Sequence, residues 1–159
     1  MNPFNPPQSV VSDPPTPGKP YKGLFLGLLV DIGGSMLVGT VLFIAYLALA
    51  APPGVDFETN SAQLTEAYRA SIFGYFGIFC GCLLSVAGGY VCARIAKPSS
   101  MRLCWLMAAV SSGLGFLLSI DLDPIGVNIL LALATFASVT VGYYLGWRHV
   151  AAAENRMQG

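Results

Sequence analysis

Charge is what this chain has least of. Lys, Arg, Asp and Glu together make up 10% of it, against about a quarter of an ordinary soluble domain, while apolar residues make up 55%. That balance excludes a water-soluble fold. Histidine is almost missing: His149 is the only one. It stands beside Arg148 at the end of an apolar run, the place of an interfacial residue rather than of a base or ligand. The strings H-E-x-x-H, G-x-S-x-G and G-x-x-x-x-G-K do not occur, so the common signatures of zinc peptidases, serine hydrolases and P-loop enzymes are lacking. We expect no enzymatic activity, no cofactor and no metal. A net charge of zero supplies no basic surplus for a nucleic-acid partner. The four cysteines, Cys80, Cys82, Cys92 and Cys104, lie in or next to apolar runs. Cys80 and Cys82 are two apart and do not share a helix face. All four read as small apolar fillers.

What the chain has is long uncharged stretches. They run over 23–50, 70–93, 103–120 and 125–147, with Asp31 as the one interruption. A bilayer core is crossed by about 20 helical residues. The pattern predicts an all-α fold: a four-helix transmembrane bundle with helices at about 22–50, 68–95, 102–120 and 125–148, in one membrane domain spanning 21–150. Lys19, Lys22, Arg94, Lys97, Arg102, Arg148 and Arg156 all fall on one side of that bundle, and only Arg69 falls on the other. By the positive-inside rule, both termini are expected in the cytoplasm and the bundle in the cell (inner) membrane.

The flanks have their own signals. Residues 1–20 hold seven prolines, including Pro14-Pro15-Thr16-Pro17, and predict a disordered cytoplasmic tail with polyproline II character. Residues 151–159 predict a short cytoplasmic tail. Ala48-Leu49-Ala50 resembles a signal-peptidase site, but the run before it is far longer than a signal-peptide core, so the first helix is expected to be retained. Asn60 with Gln63 three residues on predicts a helix start outside the membrane that leads into helix two. Asp123-Pro124 predicts the cap and first residue of helix four. Tyr143, Tyr144 and Trp147 read as an interfacial aromatic belt.

Residues four apart share a helix face, and each helix carries a small-residue stripe at that spacing. Helix one has Gly23, Gly27, Asp31, Ser35 and Gly39; helix two has Gly77, Gly81, Ser85 and Gly89; helix three has Ser111, Gly115 and Ser119; helix four has Ala134, Ser138, Gly142 and Gly146. Small residues let membrane helices approach closely. We therefore expect packing through Gly27, Gly39, Gly77, Gly81, Gly89, Gly115, Gly142 and Gly146. Depth adds a second pattern. Nine residues inward from the innermost base of each helix lie Asp31, Ser85, Ser111 and Val139, the last beside Ser138. This is one level, roughly 13 Å from the boundary. Asp31, Ser35, Ser85, Ser111 and Ser138 thus form a candidate intramembrane polar site. A carboxyl group at that depth costs about 2.5–3.5 kcal/mol on insertion scales and marks a function by default. It serves either as a hydrogen-bonding staple or as a proton-exchanging acid.

Gly88-Gly89-Tyr90-Val91-Cys92-Ala93-Arg94, followed by a short polar link and another small-residue-rich helix, resembles a pattern in uncharacterised small four-helix bacterial membrane proteins. The resemblance implies a bacterial inner-membrane protein and carries no functional residues. Two functions are expected from the whole. The first is a non-enzymatic structural, assembly or accessory component, set in the lipid bilayer and packing on itself or on another membrane protein. The alternative is a small proton-coupled transporter or channel, working as an oligomer with Asp31 as the exchanging acid.

Overall fold

The computed structural model describes residues 18–49, 57–97, 101–120 and 124–158. Every element among them is helical. Four stretches are long and apolar enough to cross a membrane: Pro20–Leu49, Ile72–Ala96, Met101–Ser119 and Ile125–Ala153. The protein is a multi-pass, all-α membrane bundle, and large apolar side chains such as Leu37, Phe79, Leu118 and Leu130 stand on its outside, as lipid contact requires.

The first span is not one regular helix. It runs as α1 (Pro20–Leu28), a π-helical turn (Leu29–Gly33) and α2 (Gly34–Leu49). Proline opens α1, where a missing N–H costs nothing. The π turn centres on Asp31 and ends at Gly33-Gly34, adjacent residues with poor α-helix propensity. A π turn holds one extra residue, so the faces above it rotate relative to those below. The four-residue stripe read from the sequence is therefore broken at Asp31.

Helix two also differs from expectation. A separate α3 (Phe57–Ala70) precedes α4 (Ile72–Ala96). Asn60 lies within α3 rather than capping a helix. The cap is Ser71: its backbone is extended (φ −85°, ψ 165°), its Oγ accepts from the Gly74 N–H at 3.4 Å, and its hydroxyl donates to the Tyr68 carbonyl at 2.5 Å. Gly74 is required at this corner, because a Cβ there would lie 2.6 Å from the carbonyl oxygens of Tyr68 and Arg69. Tyr68 then stacks edge-on against Phe43 and Tyr46, at 5.2 and 5.6 Å, which pins α3 over the α2–α4 seam. Burial pushes the Tyr68 phenol above its ordinary pKa.

The third span, α5 (Met101–Ser119), falls where expected. The fourth, α6 (Ile125–Gln158), continues as helix through the residues expected to form a polar tail. Ala151-Ala152-Ala153 and the residues after it contain no helix breaker before Gly159. At the other end, Lys19 donates its N–H to the Ile95 carbonyl at 3.3 Å, so Lys19 and Pro20, read from the sequence as tail, belong to the bundle. Residues 1–17, the Pro-x-x-Pro string and the Asp123 cap lie outside the described residues.

Helix α4 is the hub. It packs against α1, α2, α3 and α6, while α5 packs against α6 and α1. The adjacent glycines Gly88 and Gly89 serve two neighbours, because successive helical residues point about 100° apart. A Cβ on Gly88 would meet the Gly27 carbonyl oxygen at 2.6 Å and Asp31 Cβ at 2.9 Å; one on Gly89 would meet the backbone of Val139 and Tyr143 on α6. Gly27, Gly142 and Gly146 are likewise in backbone contact, with Gly88, Val86 and Tyr90. Gly77 makes looser contact, with Tyr68 and Leu42. Three expected packing glycines do not pack. Cβ atoms at Gly39, Gly81 and Gly115 would meet nothing within 4 Å. Gly39 lies beyond the π turn and is carried off the interface; Gly81 and Gly115 line a cavity.

The main core cluster lies at and below Asp31, toward the cation-rich side, while Tyr46 and Leu64 are buried apart from it on the other side. Cys92, Ala93, Cys104, Met107, Ala108, Val139 and Tyr143 form the cluster. Cys92 and Cys104 thus act as fillers, and Tyr143 belongs to the core rather than to the aromatic belt. Tyr144 and Trp147 remain exposed and stack at 5.9 Å.

Candidate functional site

The π turn, α4 and α5 each contribute one polar group to a single point. Asp31 is 3% exposed, Ser85 is 3% and Ser111 is 5%. Ser85 donates its hydroxyl to Asp31 Oδ1 at 2.6 Å, and Ser111 donates to Oδ2. Each carboxylate oxygen is therefore met by a hydroxyl from a different helix. Hydrogen bonds to a charged acceptor each contribute about 1.5–3 kcal/mol, and in a dry setting they offset part of the burial cost of the acid. No Lys, Arg or His occurs in 23–49, 72–93, 103–120 or 125–147; the nearest bases along the first three spans, Lys22, Arg94 and Arg102, lie about nine residues, roughly 13 Å, from the level of the acid.

Above this point, away from the cation-rich end, the bundle is not filled. A cavity of about 290 Å³ rises from Asp31 between the first span, α4, α5 and α6. Its floor is Asp31, Ser85 and Ser111; its walls are mainly apolar, with Met36, Ile78 and Leu114 among them. Ser35 lines it, as does Met36, since the π turn divides between them the position one turn above Asp31. The contrast in packing explains the space. Below the π turn α1 meets α5, but above it α2 has α4 as its main partner and no comparable contact with α5 or α6.

Four of the five residues proposed from sequence are thus brought to one place: Asp31, Ser85 and Ser111 in direct contact, and Ser35 on the wall. Ser138 is not. It is half-buried outside the cavity lining, while its neighbour Val139 is fully buried in the core below. Depth put Ser138 at the correct level, but the helical phase turned it away. From α6 the cavity instead receives Asn128 and Thr135. Asn128 is 1% exposed and donates Nδ2 to the Ser119 carbonyl at 2.9 Å. An amide inside an apolar helix was the available signal for Asn128. Gly88 was the other omission. It is the contact that allows the Asp31 turn to lie on α4, and its signal was the Gly88-Gly89 pair itself.

Among the described residues no group of three or more His, Cys, Asp or Glu converges. Cys82 lines the cavity, whereas Cys92 and Cys104 are buried in the core. Chemically the arrangement is a single acid, held by two hydroxyls, at one end of a partly open pocket. Such a site can take or release a proton, or pair with a cation that reaches it along the cavity. No protein-family model matches the chain, nor does any curated protein or solved structure.

Proposed function

We propose that this membrane protein is a small, non-enzymatic proton-coupled transporter, working as an oligomer in a bacterial inner membrane, with Asp31 as the exchanging acid. One observation carries this reading: a buried carboxyl group lies at the foot of an open cavity that no Lys, Arg or His lines, with an apolar core beneath it. A bundle built only to pack would fill that space, since interiors approach crystal-like density. The placement of seven basic residues on one side supports cytoplasmic termini. The test is proton flux into proteoliposomes loaded with a pH-sensitive dye. Asp31→Asn should abolish pH-driven flux while leaving the elution profile of the purified protein unchanged. Equal flux from the two proteins would remove Asp31 from the mechanism.

A second reading, an accessory or assembly component that packs on itself or on another membrane protein, is favoured by Gly39 and Gly126. A Cβ at each would meet open space, which leaves room for a helix from outside the chain. A stoichiometric partner recovered from native membranes in mild detergent would support it.

A further inference from the structure

The cavity is too large for the acid alone. A water molecule occupies about 30 Å³, so about 290 Å³ has room for roughly ten, far beyond the needs of a proton or an inorganic monovalent ion. It sits instead at the lower edge of the size range of small-molecule pockets, about 300–1,000 Å³. Its walls and floor differ in kind. The floor offers a carboxylate and two hydroxyls; the walls offer Met36, Ile78, Leu114 and Leu118. Along α5 it extends from Ser111 to Ser119, a rise of about 12 Å. The shape is a narrow slot with one anionic end.

The slot also has a side. Because α2 leans on α4 and lacks comparable contact with α5, the gap between α2 and α5 faces the surroundings of the bundle. Met36 and Leu118, on the two sides of this gap, are 64% and 66% exposed. In a bilayer those lips meet hydrocarbon. A ligand already dissolved in the membrane can pass between them with its apolar part never leaving an apolar medium.

We infer that the cavity binds a single-chain amphiphilic amine, its ammonium group on Asp31 between Ser85 and Ser111 and its alkyl chain along α5, admitted sideways from the bilayer between α2 and α5. Each element of this ligand answers a feature of the site. The positive head supplies a counter-charge that the cavity lining, which holds no Lys, Arg or His, does not. The chain covers the apolar wall. A phosphate or carboxylate head would be repelled by Asp31. The inference rests on the reading of Asp31 as the exchanging acid, and names what that acid exchanges for protons. Its test measures binding without flux, so the two fail separately: loss of binding with intact proton flux overturns only the ligand.

Cys82 is a built-in reporter, because it lines the cavity. The full-length protein in lipid nanodiscs is treated with a maleimide, and Cys82 modification is followed by peptide mass spectrometry. Decyltrimethylammonium should slow that modification by about tenfold or more, a factor that corresponds to about 1.4 kcal/mol. Asp31→Asn should remove the protection. Decyl sulfate and tetramethylammonium, which lack the positive charge and the chain respectively, should give little. Equal protection by decyl sulfate, or protection that persists in Asp31→Asn, would make the cavity an unselective apolar slot and overturn the proposal. So would equal protection by tetramethylammonium, which would mean a small-cation site. Gly115→Leu, whose side chain enters open space, provides the second variant should Asp31→Asn not assemble. It should retain Cys82 reactivity in the absence of ligand and lose the decyltrimethylammonium effect; an unchanged effect would equally sink the idea.

Discussion

The two halves of this bundle are built on opposite rules. On the cation-rich side of Asp31, backbones touch: Gly27 lies against Gly88, Gly89 against Val139, and Gly142 against Val86. Met107 and Val139 there are wholly enclosed. On the other side the same four spans leave a cavity, and Gly81 and Gly115 border it with open space where a Cβ would stand. A glycine four residues from another is therefore not a packing signal in itself. It creates room, and the neighbouring helix decides whether the room is used. Asp31 marks the boundary, at the π turn where the first span changes phase.

Substitutions at matched glycines break this comparison most directly. Gly142→Leu would drive a side chain into the Val86 backbone. It should destabilise the folded protein by more than about 3 kcal/mol, the upper end for overpacking, measured as loss of the monodisperse species in a thermal ramp in detergent. Gly115→Leu faces open space and should shift the same transition by less than about 0.5 kcal/mol. Comparable losses from the two would mean that both halves are packed.

Opening the closed half is the next largest effect. Met107→Ala removes a fully buried side chain beneath the acid, at about 2–3 kcal/mol. It should also make Cys92, its neighbour in the core, reactive to maleimide. Continued protection of Cys92 would show that Met107 does not seal the floor. Ser85→Ala is smaller. It deletes one hydrogen bond to the acid, at about 1.5 kcal/mol, and Ser111→Ala should match it, since each hydroxyl serves one carboxylate oxygen. The smallest change in stability leaves the sharpest contrast in chemistry. In the unaltered protein, Cys82 should react with maleimide at least about tenfold faster than Cys92 or Cys104, following its place on the cavity wall. Equal rates at the three thiols would erase the distinction between an open and a closed half.

Much of this was legible in the chain and some was not, for reasons that can be named. The four spans followed from the length of uncharged runs, because a bilayer imposes a minimum length and leaves no alternative to a helix for a segment of this kind. Asp31, Ser85 and Ser111 followed from depth, since distance along a helix converts directly to distance from the membrane surface. Those properties belong to one helix at a time, and sequence determines them. Phase does not. The π turn at Gly33-Gly34 rotated Gly39 away from α4, and Ser138 shared the level of the acid but not its face. The break at Ser71 gave α3 its own axis, and α4 became the hub because Gly88 and Gly89 could each accept a different neighbour. The cavity above Asp31 belongs to no single helix. It exists because α1 packs on α5 while α2 has no comparable contact with it, and only the tertiary structure decides which helix surfaces are left apart.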